Sequence, residues 1–269
     1  MKTTVLVTGS TDGIGKQTAL ELAMAEYYVI VHGRDIDSVE KTVDELKNAS
    51  NNNDIEGFAA DFESLKDVSI LAEKIKDKFD KLDILINNAG TFEKEKALTQ
   101  DGYEKTFQVN HLSHFLLTNL LLDRLKKAEK GKIVNVASMV HSTAVDFDNL
   151  QGEQNFQGSE AYALSKMCNV LFTYKLNRIL DKENVTVNCL HPGVINTKLL
   201  RSNWGGIGGS VKEGAENVLY VATYEEIDHV SGKYFVSKNP QSSAMVTYEE
   251  EKQNRLWKIS EEMVQDYLK

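Results

Sequence analysis

The opening stretch constrains the fold more than any other part of the chain. Residues 4–8 (TVLVT) form a short run rich in β-branched side chains, and Gly9 stops it. Ser10, Thr11, Asp12, Gly13, Ile14 and Gly15 follow, and then a helical pattern in Ala19, Leu20, Leu22 and Ala23. Strand, glycine turn and helix in that order are the context a phosphate-binding loop needs. Glycines let the backbone turn tightly and approach a pyrophosphate, and the helix N-terminus presents N–H groups to the anion. The spacing is Gly-x-x-x-Gly-x-Gly rather than Gly-x-Gly-x-x-Gly. A plain tight turn is the competing reading, and the flanking strand and helix favour nucleotide binding.

The alternation continues along the chain. Strand-like runs at 28–31, 55–59, 82–86, 131–136, 185–190 and 232–236 are separated by helical patterns at 39–46, 65–79, 99–108, 112–125, 159–180 and 212–222, with a charged amphipathic tail at 248–267. Strands that alternate with helices of this length predict βαβ units. The expected fold is therefore α/β: a doubly wound parallel sheet of Rossmann type with helices on both faces. The chain shows no internal repeat, no low-complexity linker and only 2 prolines, so one domain over residues 1–269 is expected.

Composition removes several function classes. The net charge of -9 leaves no basic face for nucleic acid. No run of 18 apolar residues is present to predict a membrane span, and the start of the chain does not read as an export signal. Cys168 and Cys189 lie far apart, without the spacing of a metal site, so reduced thiols in a cytoplasmic protein without a metal are expected.

Within 159–172 (SEAYALSKMCNVLF), Tyr162 and Lys166 are four residues apart and share one face of a helix. A phenol with a pKa of roughly 10 is a poor acid or base at neutral pH, but an adjacent cation favours the phenolate. The pair is a sensible acid/base unit; a half-buried aromatic beside a solvated lysine is the bland alternative. Other candidates fall where strands end. Asp61 and Phe62 follow the third strand, with the Asp61 carboxylate placed to accept from an adenine amino group. Asn88, Ala89 and Gly90 follow the fourth, Ser138 the fifth, and Pro192, Gly193, Val194, Ile195 and Thr197 the sixth. Beyond the second strand stands Arg34, where a guanidinium can grip the 2′-phosphate of NADP(H). Asp35 and Asp37 are near enough for a shifted register, so NAD(H) stays open. The polar stretch 141–158 is expected to pack over a substrate, and the glycine-dense residues 204–209 to act as a mobile lid.

Together, residues 8–15 (TGSTDGIG), 87–90 (NNAG), Ser138, Tyr162-x-x-x-Lys166 and Pro192-Gly193 stand in the order found in the short-chain dehydrogenase/reductase family, which this chain resembles over essentially its whole length. Residues 109–115 (VNHLSHF), 149–153 (NLQGE) and 190–193 (LHPG) resemble the retinol-dehydrogenase-like branch. The resemblance implies a sheet of about seven parallel strands. It implies a catalytic tetrad of Asn110, Ser138, Tyr162 and Lys166. Ser138 would bind the substrate oxygen, and Tyr162 would exchange a proton with it. Lys166 would lower the Tyr162 pKa and hold the nicotinamide ribose, and Asn110 would hold a water linking Lys166 to solvent. Residues 192–197 would embrace the carboxamide, with Thr197 as a hydroxyl partner and Val194 or Ile195 giving backbone contacts. The implied activity is NADP(H)-dependent interconversion of a carbonyl and an alcohol, on an apolar or aromatic small molecule such as a retinal-like aldehyde, a ketone or a quinone. A homodimer through the helices carrying 115–125 and 162–179 is also implied, although those apolar faces could equally be core. The competing functions are a dinucleotide-binding sensor or scaffold without chemistry, and sugar-nucleotide epimerase or dehydratase chemistry, which the 269-residue length disfavours.

Overall fold

The computed structural model describes residues 2–268. Strands β1 (Thr4–Val7), β2 (Tyr28–Gly33), β3 (Ile55–Ala59), β4 (Ile84–Asn87), β5 (Gly131–Val136), β6 (Val185–His191), β7 (Tyr234–Val236) and β8 (Asn239–Gln241) form one sheet. Its order is β3-β2-β1-β4-β5-β6-β7-β8. All pairings are parallel except β7 with β8. The expected set of parallel strands is present, and β8 is an addition that the sequence reading lacks. Pro240 in β8 has no N–H to give a neighbour, which suits the edge of a sheet.

Helices α1 (Gly13–Met24), α2 (Ile36–Ser50) and α8 (Val211–Thr223) cover one face of the sheet. Helices α3 (Leu65–Lys78), α5 (Ser113–Lys126) and α6 (Gly158–Ile179) cover the other, with α9 (Glu250–Val264) packed outside α6; α4 (Lys105–Phe107) leads into α5, and α7 (Lys198–Trp204) lies beyond β6. Side-chain alternation along the strands divides the core. Val5, Val7, Val29, Val31, Ile84 and Ile86 point to the first layer, whereas Leu6, Ile30, Leu85 and Ile133 point to the second.

The helix expected over 99–108 begins only at Lys105, because the Glu104 carboxylate caps it, accepting from the Thr106 and Phe107 amides at 2.9 and 2.7 Å. From there the chain runs through a π turn at Gln108–Leu112 directly into α5. The two helical patterns read from the sequence are thus one element with a widened turn between them.

The apolar faces of α5 and α6, offered above as a dimer surface, are core within one chain. Phe115, Leu116, Leu117 and Leu121 are buried, and α9 lies over Phe115 and Phe172, whose rings meet Trp257 at centroid distances of 4.9 and 5.9 Å. Among the described residues no helix is long and apolar enough to cross a membrane.

Candidate active site

Strand order reverses between β1 and β4, so the connections from the two strands leave in opposite directions and open a crevice at their carboxyl ends. A cleft of ≈ 1010 Å³ lies there. It is lined by Gly9, Thr11, Asp12, Gly13, Ile14, Gly15, Arg34, Asp61, Phe62, Asn88, Ala89, Gly90, Ser138, Tyr162, Lys166, Pro192, Gly193, Val194, Ile195 and Thr197. Of the candidates named from the sequence, Ser10 and Asn110 do not line it; both are fully buried.

At the dinucleotide end the loops are locked together. Gly9 has φ +62°, and a Cβ there would stand 2.7 Å from the Ala89 Cα, so this position needs a glycine. Beside it the Thr8 hydroxyl accepts from the Asn88 and Ala89 amides at 2.8 and 3.0 Å, while the Asn88 side chain donates to the Thr8 carbonyl at 2.8 Å. The strand-end loop of β4 is therefore fastened to the glycine turn of β1. Ser10 serves the same frame: its Oγ donates to the Val7 carbonyl at 2.8 Å and accepts from the His32 amide at 2.9 Å.

Two buried histidines complete the lock, and sequence reasoning missed both. His32 Nδ1 accepts from the Gly9 amide at 3.1 Å, which leaves the ring proton on Nε2, facing the Ala60 carbonyl at 3.1 Å. His114 has the other tautomer: Nδ1–H donates to the Asn110 carbonyl at 3.0 Å, and Nε2 accepts from the Thr8 hydroxyl at 3.0 Å. Phe62 lies between the two rings, 4.5 Å from His32 and 5.2 Å from His114. Burial pushes His32 down to about 4 and His114 down to about 3, so both hold the neutral form that these contacts require.

The π turn sets the middle of the cleft. Asn110 in that turn accepts from the Thr91 amide through Oδ1 at 2.7 Å, and its Nδ2 donates to the Thr91 carbonyl at 3.0 Å and to Ser165 Oγ at 2.9 Å. Its side chain ties the end of the 87–90 loop to α6, and its carbonyl is taken by His114. On α6, Lys166 Nζ donates to the Val136 carbonyl at 3.0 Å and lies 5.6 Å from the centre of the Tyr162 ring. Burial lowers Lys166 to about 8. Burial also pushes Tyr162 up to about 12, against the pull of its hydrogen bond with Ser138. Burial disfavours charge on both groups.

At the outer ends the walls are more open. The Arg34 side chain is 69% exposed, with Nη1 3.7 Å from a Glu63 carboxylate that also pairs with Lys105 at 3.0 Å. Thr197 Oγ1 accepts from the Leu200 amide at 3.3 Å and so caps α7. The glycine-dense stretch expected to be a mobile lid is fastened at its far end, where the Gly209 amide donates to the Val194 carbonyl at 2.8 Å and the Asn196 amide to the Gly209 carbonyl at 2.9 Å. Residues 198–200 line the cleft and 141–158 do not: Lys96 Nζ donates to the Gly152 carbonyl at 2.7 Å, and the Phe147 ring sits under the Arg255 guanidinium of α9. Met139 and Val140 take the wall position expected of that loop.

Comparison with known proteins agrees with this architecture. The family profile described as short chain dehydrogenase matches residues 3–205. The chain is 40% identical to human (Homo sapiens) retinol dehydrogenase 13 over 280 aligned positions, covering 97% of this chain and 84% of that protein. It is 37% identical to human retinol dehydrogenase 14, covering 97% and 86%. Among solved structures, an uncharacterised protein from Mycobacterium paratuberculosis superposes with a TM-score of 0.80 at 27% identity, covering 98% of this chain and 93% of that one.

Proposed function

The chain belongs to the short-chain dehydrogenase family, and from that premise we propose that it is an NADP(H)-dependent oxidoreductase that interconverts a carbonyl and an alcohol, with Tyr162 as the acid and base. The family carries the coarser statement, a dehydrogenase acting on an alcohol/carbonyl pair with a nicotinamide dinucleotide. Residues 1–269 act as one cofactor-binding unit in this reading.

The observation that carries the proposal is the convergence of Ser138, Tyr162 and Lys166 on one cleft with the glycine loop. The cleft fits the cofactor on its own chemistry. Glycines at 9, 13 and 15 keep side chains off the wall where the first turn of α1 presents its N–H groups, and Arg34 offers a cation further along the same wall. Arg34 supports the choice of NADP(H). A bound nicotinamide dinucleotide supplies or receives the hydride.

The side chains do the rest. Ser138 donates its hydroxyl proton to the substrate oxygen, placing that oxygen beside Tyr162. During reduction Tyr162 gives the oxygen a proton as negative charge develops on it; during oxidation it takes the proton back. Lys166, as an ammonium, stabilises the phenolate left behind. Asn110 acts through the backbone of Thr91 and through Ser165, holding α6 at its distance from the 87–90 loop. Exposed Met139, Val140 and Val194 support an apolar or aromatic substrate.

The test is consumption of NADPH, followed by its absorbance, across a panel of aldehydes, ketones and quinones. At least one member is turned over by the native chain, and Tyr162→Phe loses about 10²–10⁴-fold in kcat while still binding NADPH. No turnover across the panel, with cofactor binding intact, would favour a dinucleotide sensor.

A further inference from the structure

Ser138 is held from behind. Its carbonyl accepts from His141 Nδ1–H at 2.7 Å and from the Tyr234 hydroxyl at 3.1 Å, and its Oγ accepts from the Val140 amide at 3.1 Å. The second contact of His141 fixes its tautomer. The Ala244 amide, which can only donate, lies 3.0 Å from Nε2, so the ring proton sits on Nδ1 and points at the Ser138 carbonyl. The ring also stands edge-on to Tyr234 at 5.4 Å.

Ala244 belongs to a segment that is itself moored on the helix bearing Tyr162. Ser243 Oγ bonds the Tyr174 hydroxyl of α6 at 2.8 Å and Thr247 Oγ1 at 2.7 Å, and the Ser243 amide donates to the Tyr248 hydroxyl at 3.1 Å. The Tyr174 and Tyr248 rings stack at 5.2 Å. One short segment near the C-terminus therefore grips both elements that carry the chemistry, α6 directly and the end of β5 through His141.

We propose that His141 is a positioning residue, the strut through which residues 243–248 set Ser138 against Tyr162. The inference rests on the roles of Ser138 and Tyr162 proposed above. His141 does not line the cleft, whose wall takes Met139 and Val140 instead, so a direct contact with substrate is not its part. A strut matters because reacting groups tolerate little displacement: a shift of about 1 Å costs on the order of 10²-fold in rate.

The experiment compares His141→Asn, His141→Gln and His141→Phe in the full chain, reading kcat, substrate KM, the Kd for NADPH and thermal stability, with Ser138→Ala as reference. An Asn amide reproduces Nδ1–H toward Ser138; Gln reproduces the acceptor toward Ala244; Phe keeps the ring and neither contact. The phenylalanine and glutamine variants are expected to lose about 10–100-fold in kcat with the Kd for NADPH within about twofold, and the asparagine variant to regain most of the loss. Equal loss in the asparagine and glutamine variants, or a phenylalanine variant within about threefold of the native kcat, overturns the proposal. If His141→Phe does not fold, Tyr234→Phe removes the other donor to the same carbonyl: a kcat-selective loss supports the strut, and an unchanged kcat contradicts it. Turnover retained in Ser138→Ala would instead defeat the catalytic reading on which the strut depends.

Discussion

The dinucleotide end of the cleft is built from buried hydrogen bonds between loops, whereas the substrate end is built from exposed apolar side chains. Thr8, Ser10, His32 and His114 are buried, and each spends its polar atoms on a neighbouring backbone or side chain. Met139, Val140 and Val194 are 54%, 56% and 52% exposed. The first end leaves little freedom, because a lost partner there strands a buried donor or acceptor at about 1–3 kcal/mol. At the second end an apolar side chain can be exchanged without stranding anything. In the proposed reading, the shape offered to the cofactor is set by buried contacts of the fold, and preference among substrates by exposed apolar side chains.

The largest effect that would break this contrast is at Gly15. A Cβ there runs into the Gly9 carbonyl oxygen and the Asn88 side-chain amide. Gly15→Ala should weaken NADPH binding by about 100-fold or more, because the loop must shift to admit a methyl group. Met139→Ala should change substrate KM and leave the NADPH affinity alone. Titration of NADPH fluorescence against each variant checks both, and equal effects on the cofactor would erase the distinction.

Acid should act on the dinucleotide end next. His32 and His114 have folded pKa values near 4 and 3, below the ordinary 6.5, so the unfolded chain takes up protons that the folded chain refuses. Stability is therefore complete above about pH 6.5 and falls as the pH drops towards 4, by about 1.4 kcal/mol per unit for each histidine. Urea midpoints measured from pH 7 to pH 5 should decline less steeply for His32→Gln than for the native chain. Identical slopes would show that His32 does not carry the penalty.

The smallest effect is at Arg34, whose exposure lets solvent screen its charge. Arg34→Asp should move the ratio of NADPH to NADH affinity by about tenfold towards NADH. An unchanged ratio would assign selection between the two dinucleotides to another residue.

How much of this was legible in the sequence follows the same division. The glycine loop, the 87–90 loop and Tyr162-x-x-x-Lys166 are local patterns, in which spacing alone determines which atoms share a turn or a helix face, and they lie on the cleft as expected. Ser10 and Asn110 belong to such patterns too, but whether a patterned residue faces a ligand or the core depends on neighbours distant in sequence. The locking roles of His32 and His114 gave no signal, because Gly9, Ala60 and Thr8, which they hold, come from other strands and loops. The π turn was hidden by a helical periodicity that simply looked interrupted at Asn110 and His111. The cover of α5 and α6 by α9 was equally invisible: an apolar helix face reads the same whether a partner subunit or the chain's own tail buries it. The 141–158 stretch was placed over the cleft because it is polar and contains glycine; its contacts with Lys96 and Arg255 are ones that no local pattern pairs with it.

Isotope transfer tests the catalytic assignment most directly. NADPH carrying deuterium at either face of nicotinamide C4 is incubated with the native chain and a carbonyl compound that it turns over, and the alcohol is weighed by mass spectrometry. Label is expected at the former carbonyl carbon from one face and not the other, with the yield collapsing in Tyr162→Phe. Label from neither face, or undiminished transfer by Tyr162→Phe, would contradict direct hydride transfer with that phenol as its proton donor.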